Sequence, residues 1–134
     1  MAGNQIDPNK RIMVVDDFER WRSVAGDSLA SWGFREVRYF YDVSSALGDY
    51  SRYLPHLAFL DVNFDPSNPG LSGNMDGLYL CERLRELDNQ LVIAVMSSMS
   101  EAQDLAMQKG ANGFILKRNF VSDFDKFMEE CSKR

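Results

Sequence analysis

The sequence predicts a doubly wound α/β domain built on a parallel sheet, and three observations carry that expectation. Five short apolar runs rich in β-branched residues alternate with five stretches of helical spacing. That alternation suits a parallel sheet whose right-handed crossovers place helices on both faces. The 134 residues suffice for one core, whereas two self-sufficient cores would each be marginal. Apolar residues at 45% and charged residues at 26% make a globular mixture, not a disordered one.

The expected strands are Ile12–Val15, Val37–Tyr41, Leu57–Leu60, Leu91–Met96 and Phe114–Leu116, with lengths that suit buried strands. The first helix runs from about Phe18 to Trp32, with Trp21, Val24, Ala25, Leu29 and Trp32 on one face and Gly33 in the stop position. A shorter helix follows Ser44 and Ser45. The third covers about Leu78 to Leu87, with Leu80, Leu84 and Leu87 inward. The fourth lies between Ser100 and Lys109 and is closed by Gly110, and the last places Phe120, Phe124, Phe127 and Cys131 on one face. Asn63 to Asn74 holds Pro66, Pro69, Gly70 and Gly73 and reads as a long loop, either functional or a tolerated insertion. Residues 1–10 read as a polar tail and 11–134 as the domain.

Composition narrows the function classes. Fifteen Lys/Arg against twenty Asp/Glu give a net charge of −5, which repels phosphate backbones and anionic lipids. Direct binding to nucleic acid or to a membrane surface is therefore not expected. The longest apolar run, Leu91 to Met96, is far short of a spanning helix, and Met1 to Arg11 lacks the apolar centre of a signal peptide. A cytoplasmic location follows as the expectation. Cys81 and Cys131 sit far apart in segments that read as helices, so two buried, inert thiols are expected. His56 is the only histidine, which leaves no Ser-His-Asp or Cys-His arrangement and no multi-histidine metal site.

In an open parallel sheet the working site lies beyond the carboxyl ends of the strands. Asp16 and Asp17 follow the first strand, Asp61 ends the third, Ser97 and Ser98 end the fourth, and Lys117 follows the fifth. Taken singly, each has an ordinary reading: Asp17 as a helix cap, Lys117 as a solvated surface charge. Taken together, they converge on one end of the sheet. Three carboxylates in close range raise one another's pKa unless a counter-charge is present. A hard divalent cation resolves the conflict, and Mg²⁺ suits it because it takes one or two carboxylates and keeps waters that a phosphate can replace. One carboxylate can then act as nucleophile toward a phosphoryl donor, giving an aspartyl phosphate. Phosphoryl transfer needs mainly positioning and charge neutralisation, which Mg²⁺, Lys117 and the Ser97 hydroxyl could supply.

From Arg11 to about Cys131, this ordered set resembles the receiver domain of two-component response regulators. The resemblance implies a (βα)5 flavodoxin-like three-layer sandwich with strand order 2-1-3-4-5. It implies Asp61 as phosphoacceptor, Mg²⁺ held by Asp16, Asp17, Asp61 and the backbone carbonyl of Asn63, and Asp17 as the more direct ligand of the acid pair. Met75-Asp76-Gly77 resembles the opening of the family's third helix, Ser97 its switch hydroxyl, Phe114 its switch aromatic and Lys117 its lysine. The implied partners are a histidine kinase or phosphotransfer protein and a downstream output protein, and a homodimer on phosphorylation is common in the family. Such a protein is a signalling module, with at most self-catalysed phosphoryl transfer and autodephosphorylation.

The sequence departs from the pattern in three places. Arg118 stands where the family usually has proline after the lysine, commonly joined by a cis bond. A cis bond before a non-proline residue costs roughly 3 kcal/mol, so a trans or strained bond and a shifted last helix are expected, with Arg118 at the rim. The connection from Asp61 to Gly77 is longer than the family's usual loop; Asp65 within it offers one more carboxylate. The span from Ser97 to Gly110 is short, which predicts a trimmed fourth helix or loop. An aspartyl-phosphate hydrolase of the haloacid-dehalogenase type would need an acid/base Asp where Asn63 stands, and a flavodoxin would need a phosphate loop where Asp16-Asp17-Phe18-Glu19 stands. A degenerate receiver acting as a phosphorylation-independent interaction module is the alternative. The chain stops about where the last helix should end, as a stand-alone receiver or as a piece of a larger regulator.

Overall fold

The computed structural model describes residues 7–62 and 74–132. Five strands, β1 (Arg11–Val15), β2 (Glu36–Phe40), β3 (Leu57–Asp61), β4 (Val92–Ser97) and β5 (Gly113–Leu116), form one parallel sheet in the order β2-β1-β3-β4-β5. The helices between them are α1 (Glu19–Ser31), α2 (Val43–Tyr53), α3 (Asn74–Leu87), α4 (Ala102–Gln108) and α5 (Phe120–Ser132). This is the three-layer architecture and strand order expected.

Successive side chains on a strand point to opposite faces, and the apolar strands use both. Met13, Val15, Ala58, Leu60, Ile93 and Val95 face α2, α3 and α4, where Ala46, Tyr50, Leu80, Leu84 and Ala106 meet them. Ile12, Val14, Phe59, Ala94 and Met96 face α1 and α5, where Ala25, Leu29, Phe120, Phe124 and Phe127 close the second core. Phe59 is fully buried, stacked on Phe124 at 5.4 Å and edge-on to Phe127 at 5.9 Å. Burying a side chain of that size stabilises by about 1.5–3 kcal/mol, and the ring pairs add to it.

Several local expectations need correction. β2 is not a buried strand: it is the sheet's edge, Tyr39 and Tyr41 are exposed, and only Phe40 is buried. Leu87 is the last residue of α3 and about half exposed, beyond the part of the stripe that Leu80 and Leu84 bury. Cys81 is buried, and burial pushes its thiol up to about 11, but Cys131 is only half-buried. Ser44 and Ser45 lie inside α2; Asp42 caps it, accepting from Ser45 N at 2.8 Å. Asp17 does not cap α1: the cap position is Phe18, without a side-chain bond. α4 is the trimmed helix the spacing predicted, with 7 residues. Gly33 and Gly110 stop α1 and α4 at φ +93° and +107°, a region glycine enters at little steric cost.

At the amino end of the sheet, Arg11 N donates to His56 Nδ1 at 3.0 Å, and His56 N donates to Arg11 O at 2.8 Å. Nδ1 must be unprotonated to accept, and burial, with the charges of Arg11 and Lys10, lowers the His56 pKa. A lowered histidine pKa contributes stability above the ordinary value of about 6.5 that is lost as pH falls through the folded value. Urea unfolding should show the wild type losing stability relative to His56→Gln between pH 7 and 5. A constant difference would mean that the Arg11–His56 bond does not select the neutral imidazole.

Candidate functional site

The register of the sheet assembles the site. Val15 pairs with Leu60, Asp61 with Met96, and Ser97 with Leu116, so β1, β3, β4 and β5 end together. The next residue after β1 is Asp16, whose N–H donates to Phe40 O at 3.1 Å, and the next after β5 is Lys117. Asp16, Asp17 and Asp61 each offer a carboxylate oxygen, and these oxygens lie within 4.8 Å of one another.

Lys117 is the counter-charge. Its Nζ donates to Asp16 Oδ2 at 3.0 Å and lies 2.6 Å from Asp61 Oδ1. Asp16 and Lys117 are both buried, at 1% and 5% exposure, so this ammonium is not the solvated surface charge of the ordinary reading. Asp16 Oδ1 accepts from Phe18 N at 2.9 Å, while Asp17 is exposed at the mouth. The Asp61 contact is a close ion pair, and buried Oδ1 has Lys117 as its one polar partner among the described residues. Burial lifts the Asp61 carboxyl to about 6; Lys117 works against the rise, and Asp16 and Asp17 add to it. One ammonium cannot neutralise three carboxylates, and an all-oxygen set whose ligand atoms lie within 4.8 Å of one another fits a hard divalent cation.

Of the other expected residues, Ser97 is fully buried at the end of β4, and its Oγ accepts from Met99 N at 3.1 Å. Phe114 sits half-buried in β5 against the core shared with α4. Arg118 is exposed at the rim, and the Lys117–Arg118 bond is trans, as expected without proline. The last helix start is shifted in a specific way: a short 3-10 helix, Lys117–Asn119, leads directly into α5. Asn63 and Asp65 lie outside the described residues. Met75-Asp76-Gly77 does open α3, and Gly77 packs directly on the Asp61 carbonyl.

Four contributions escape the sequence reading. Trp21, expected only as part of the inner face of α1, brings its ring to 5.0 Å from Lys117 Nζ. Gly77 supplies the close approach just described. Arg22 NH1 donates to the Asp16 carbonyl at 2.7 Å while its guanidinium covers the Tyr41 ring at 4.3 Å. Asp123, in the first turn of α5, accepts from Leu116 N at 3.0 Å and holds the strand end that carries Lys117. Trp21 had a legible signal, lying one turn past the acid pair on the helix that pair introduces. Arg22 and Asp123 lie only six and seven residues from the groups they bond, but their roles depend on how α1 and α5 leave the ends of β1 and β5, and that of Gly77 on the approach of α3 to β3.

Residues 12–128 match the family model for the response regulator receiver domain. The chain belongs to this family. A receiver is a domain of two-component signalling, not an enzyme of the usual kind, and receivers generally pair with histidine kinases and output domains. Receivers bind Mg²⁺ at an acidic pocket, and the structure holds an acidic cluster of Asp16, Asp17 and Asp61. The chain is 28% identical over 108 residues to the uncharacterized transcriptional regulatory protein YvcP of Bacillus subtilis (strain 168), covering 80% of this receiver and 42% of that relative's length. Among solved structures it is similar to the receiver domain of NtrX from Brucella abortus, at 27% identity and TM-score 0.75, covering 91% of this chain and 98% of the other. A CheY-like receiver domain protein from Methanospirillum hungatei JF-1 shares the fold at 20% identity and TM-score 0.75, with 93% and 94% coverage. No described helix of the receiver is long and apolar enough to cross a membrane.

Proposed function

We propose that Asp61 is the phosphoacceptor of a two-component phosphorelay and that its phosphorylation switches a partner-binding face. The observation that carries this reading is the buried Asp61 carboxylate, 2.6 Å from Lys117 Nζ beside two further acids. An Asp61 oxygen attacks the phosphorus of a donor. With acetyl phosphate, the new Asp61 O–P bond forms as the acetyl O–P bond breaks and acetate leaves, so no proton is needed. A kinase or phosphotransfer protein would offer a phosphohistidine in the same place.

Lys117 is positioned to exchange part of its contact with Asp16 and Asp61 for the incoming phosphoryl oxygens. Ser97 Oγ accepts from Met99 N–H and, as a hydroxyl, keeps a proton to donate to the same group. Asp16, Asp17 and Asp61, with the Asn63 backbone carbonyl, would hold Mg²⁺, which when bound supplies the positive charge that neutralises phosphoryl oxygens. The Ser97 shift toward phosphate frees space that Phe114 can take, changing the face of α4, β5 and α5 where an output protein, or a second phosphorylated copy, would dock. A shift from 1:99 to 99:1 would need about 5.5 kcal/mol of differential stabilisation. A cytoplasmic pathway is the setting this reading supports.

Intact mass after incubation with Mg²⁺ and acetyl phosphate tests it. Wild type should gain one phosphoryl group, lost if EDTA precedes the donor, and Asp61→Asn should gain none. Failure to take up either phosphoryl or beryllofluoride would overturn the phosphoacceptor reading in favour of a phosphorylation-independent interaction module.

A further inference from the structure

The lysine that faces Asp61 is enclosed on a third side by an aromatic ring. Lys117 Nζ lies between Asp16 and Asp61, and the Trp21 ring centroid is 5.0 Å from it, within cation–π range. The attraction is strongest where water is excluded, and the Lys117 side chain is only 4% exposed. Trp21 comes from α1, whereas Lys117 follows β5, so the contact joins elements that the chain leaves far apart.

The ring is itself held. Trp21 packs on Phe120 at 5.9 Å, Phe120 stacks on Phe124 at 5.6 Å, and Phe124 stacks on Phe59 at 5.4 Å. Phe120 directly follows the 3-10 turn that begins at Lys117, so the indole grips both ends of that turn. The Arg20 guanidinium is also 5.9 Å from the ring, which extends cover on the solvent side of a half-buried residue. A lysine without this wall could swing on four methylenes toward the exposed Asp17; with it, the ammonium stays between Asp16 and Asp61.

We propose that Trp21 is the positioning residue for Lys117, its indole face holding the ammonium at the place where a phosphoryl group on Asp61 would need it. The proposal rests on the phosphoacceptor reading for its consequence and on geometry alone for the contact. It therefore has two separable tests. Trp21→Leu keeps an apolar side chain and removes the ring, and Trp21→Phe keeps a smaller ring. The rate of phosphoryl uptake from acetyl phosphate with Mg²⁺, followed by intact mass, should fall about three- to thirty-fold in Trp21→Leu, the range a desolvated cation–π contact supports. Trp21→Phe should recover most of the loss.

The second test needs no donor and no metal. Urea unfolding in EDTA is measured for Trp21→Leu, for Lys117→Met and for both together, all in an Asp61→Asn background, where Lys117 has one fewer carboxylate to compensate. The loss of packing on Phe120 is common to both legs of the cycle and cancels. The Trp21→Leu change in the unfolding equilibrium constant should be about three- to thirty-fold smaller once residue 117 carries no charge. Additivity in this cycle, or wild-type uptake by Trp21→Leu, overturns the proposal. If wild type takes up no phosphoryl group at all, it is the phosphoacceptor reading that fails, and the unfolding cycle decides the Trp21 contact by itself.

Discussion

Lys117→Met should destabilise the metal-free receiver by about 3–5 kcal/mol at pH 7, the cost of leaving buried charge without its partner. Methionine preserves most of the side-chain volume, so the loss is electrostatic. Asp16 is almost fully buried and Asp61 nearly so, and Lys117 is the cation that pairs with both. The effect has a pH dependence that packing damage would not have. Lys117 holds the Asp61 pKa down against burial, and even so it stands at about 6. Without the ammonium it rises further. A carboxyl whose folded pKa lies above its unfolded value of about 3.9 costs stability when ionised, and that cost fades as pH falls through the folded pKa. The gap between variant and wild type in urea midpoints should therefore narrow between pH 7 and 5. A gap that stays constant over that window would show that Lys117 acts through packing.

Gly77→Ala should cost about 1–3 kcal/mol, the range for forcing a methyl into filled space. A β-carbon at Gly77 would overlap the Asp61 carbonyl oxygen and come within 2.8 Å of Val62 Cγ2. Either α3 withdraws or the end of β3 moves, and the second carries the acceptor carboxylate with it. Misplacing a reacting group by about 1 Å can cost a hundredfold in rate, so phosphoryl uptake should fall more than stability does. Gly48→Ala, inside α2 with nothing within 4 Å, is the comparison: relief of glycine's helix penalty should stabilise by up to about 1 kcal/mol. Equal stability and uptake in Gly77→Ala and wild type would mean that the opening of α3 shifts without disturbing Asp61.

The acidic site was legible because it follows from order along the chain. A parallel α/β sheet puts every strand's carboxyl end on one side, so Asp16, Asp61, Ser97 and Lys117 could be gathered there from their positions at the ends of apolar runs. The exposure of β2 was less legible: Val37 and its neighbours have the β propensity of a strand, but propensity does not say how many faces are covered. Leu87 fits a helical apolar stripe and is exposed, since periodicity gives the face of a helix but not how far along it the core extends.

The sequence by itself determined the fold class, the strand order through the resemblance, the identity of the acid cluster and the trans peptide after Lys117. Each depends on local pattern: periodicity, residue type at a strand end, or the absence of proline at position 118. Only the tertiary structure decided that Lys117 is buried between Asp16 and Asp61, that Trp21 covers the ammonium, and that Gly77 packs on the Asp61 carbonyl. Those facts depend on how closely α1 and α3 approach the ends of β5 and β3. That distance is set by packing across the sheet, between segments whose separation along the chain carries no signal of their contact.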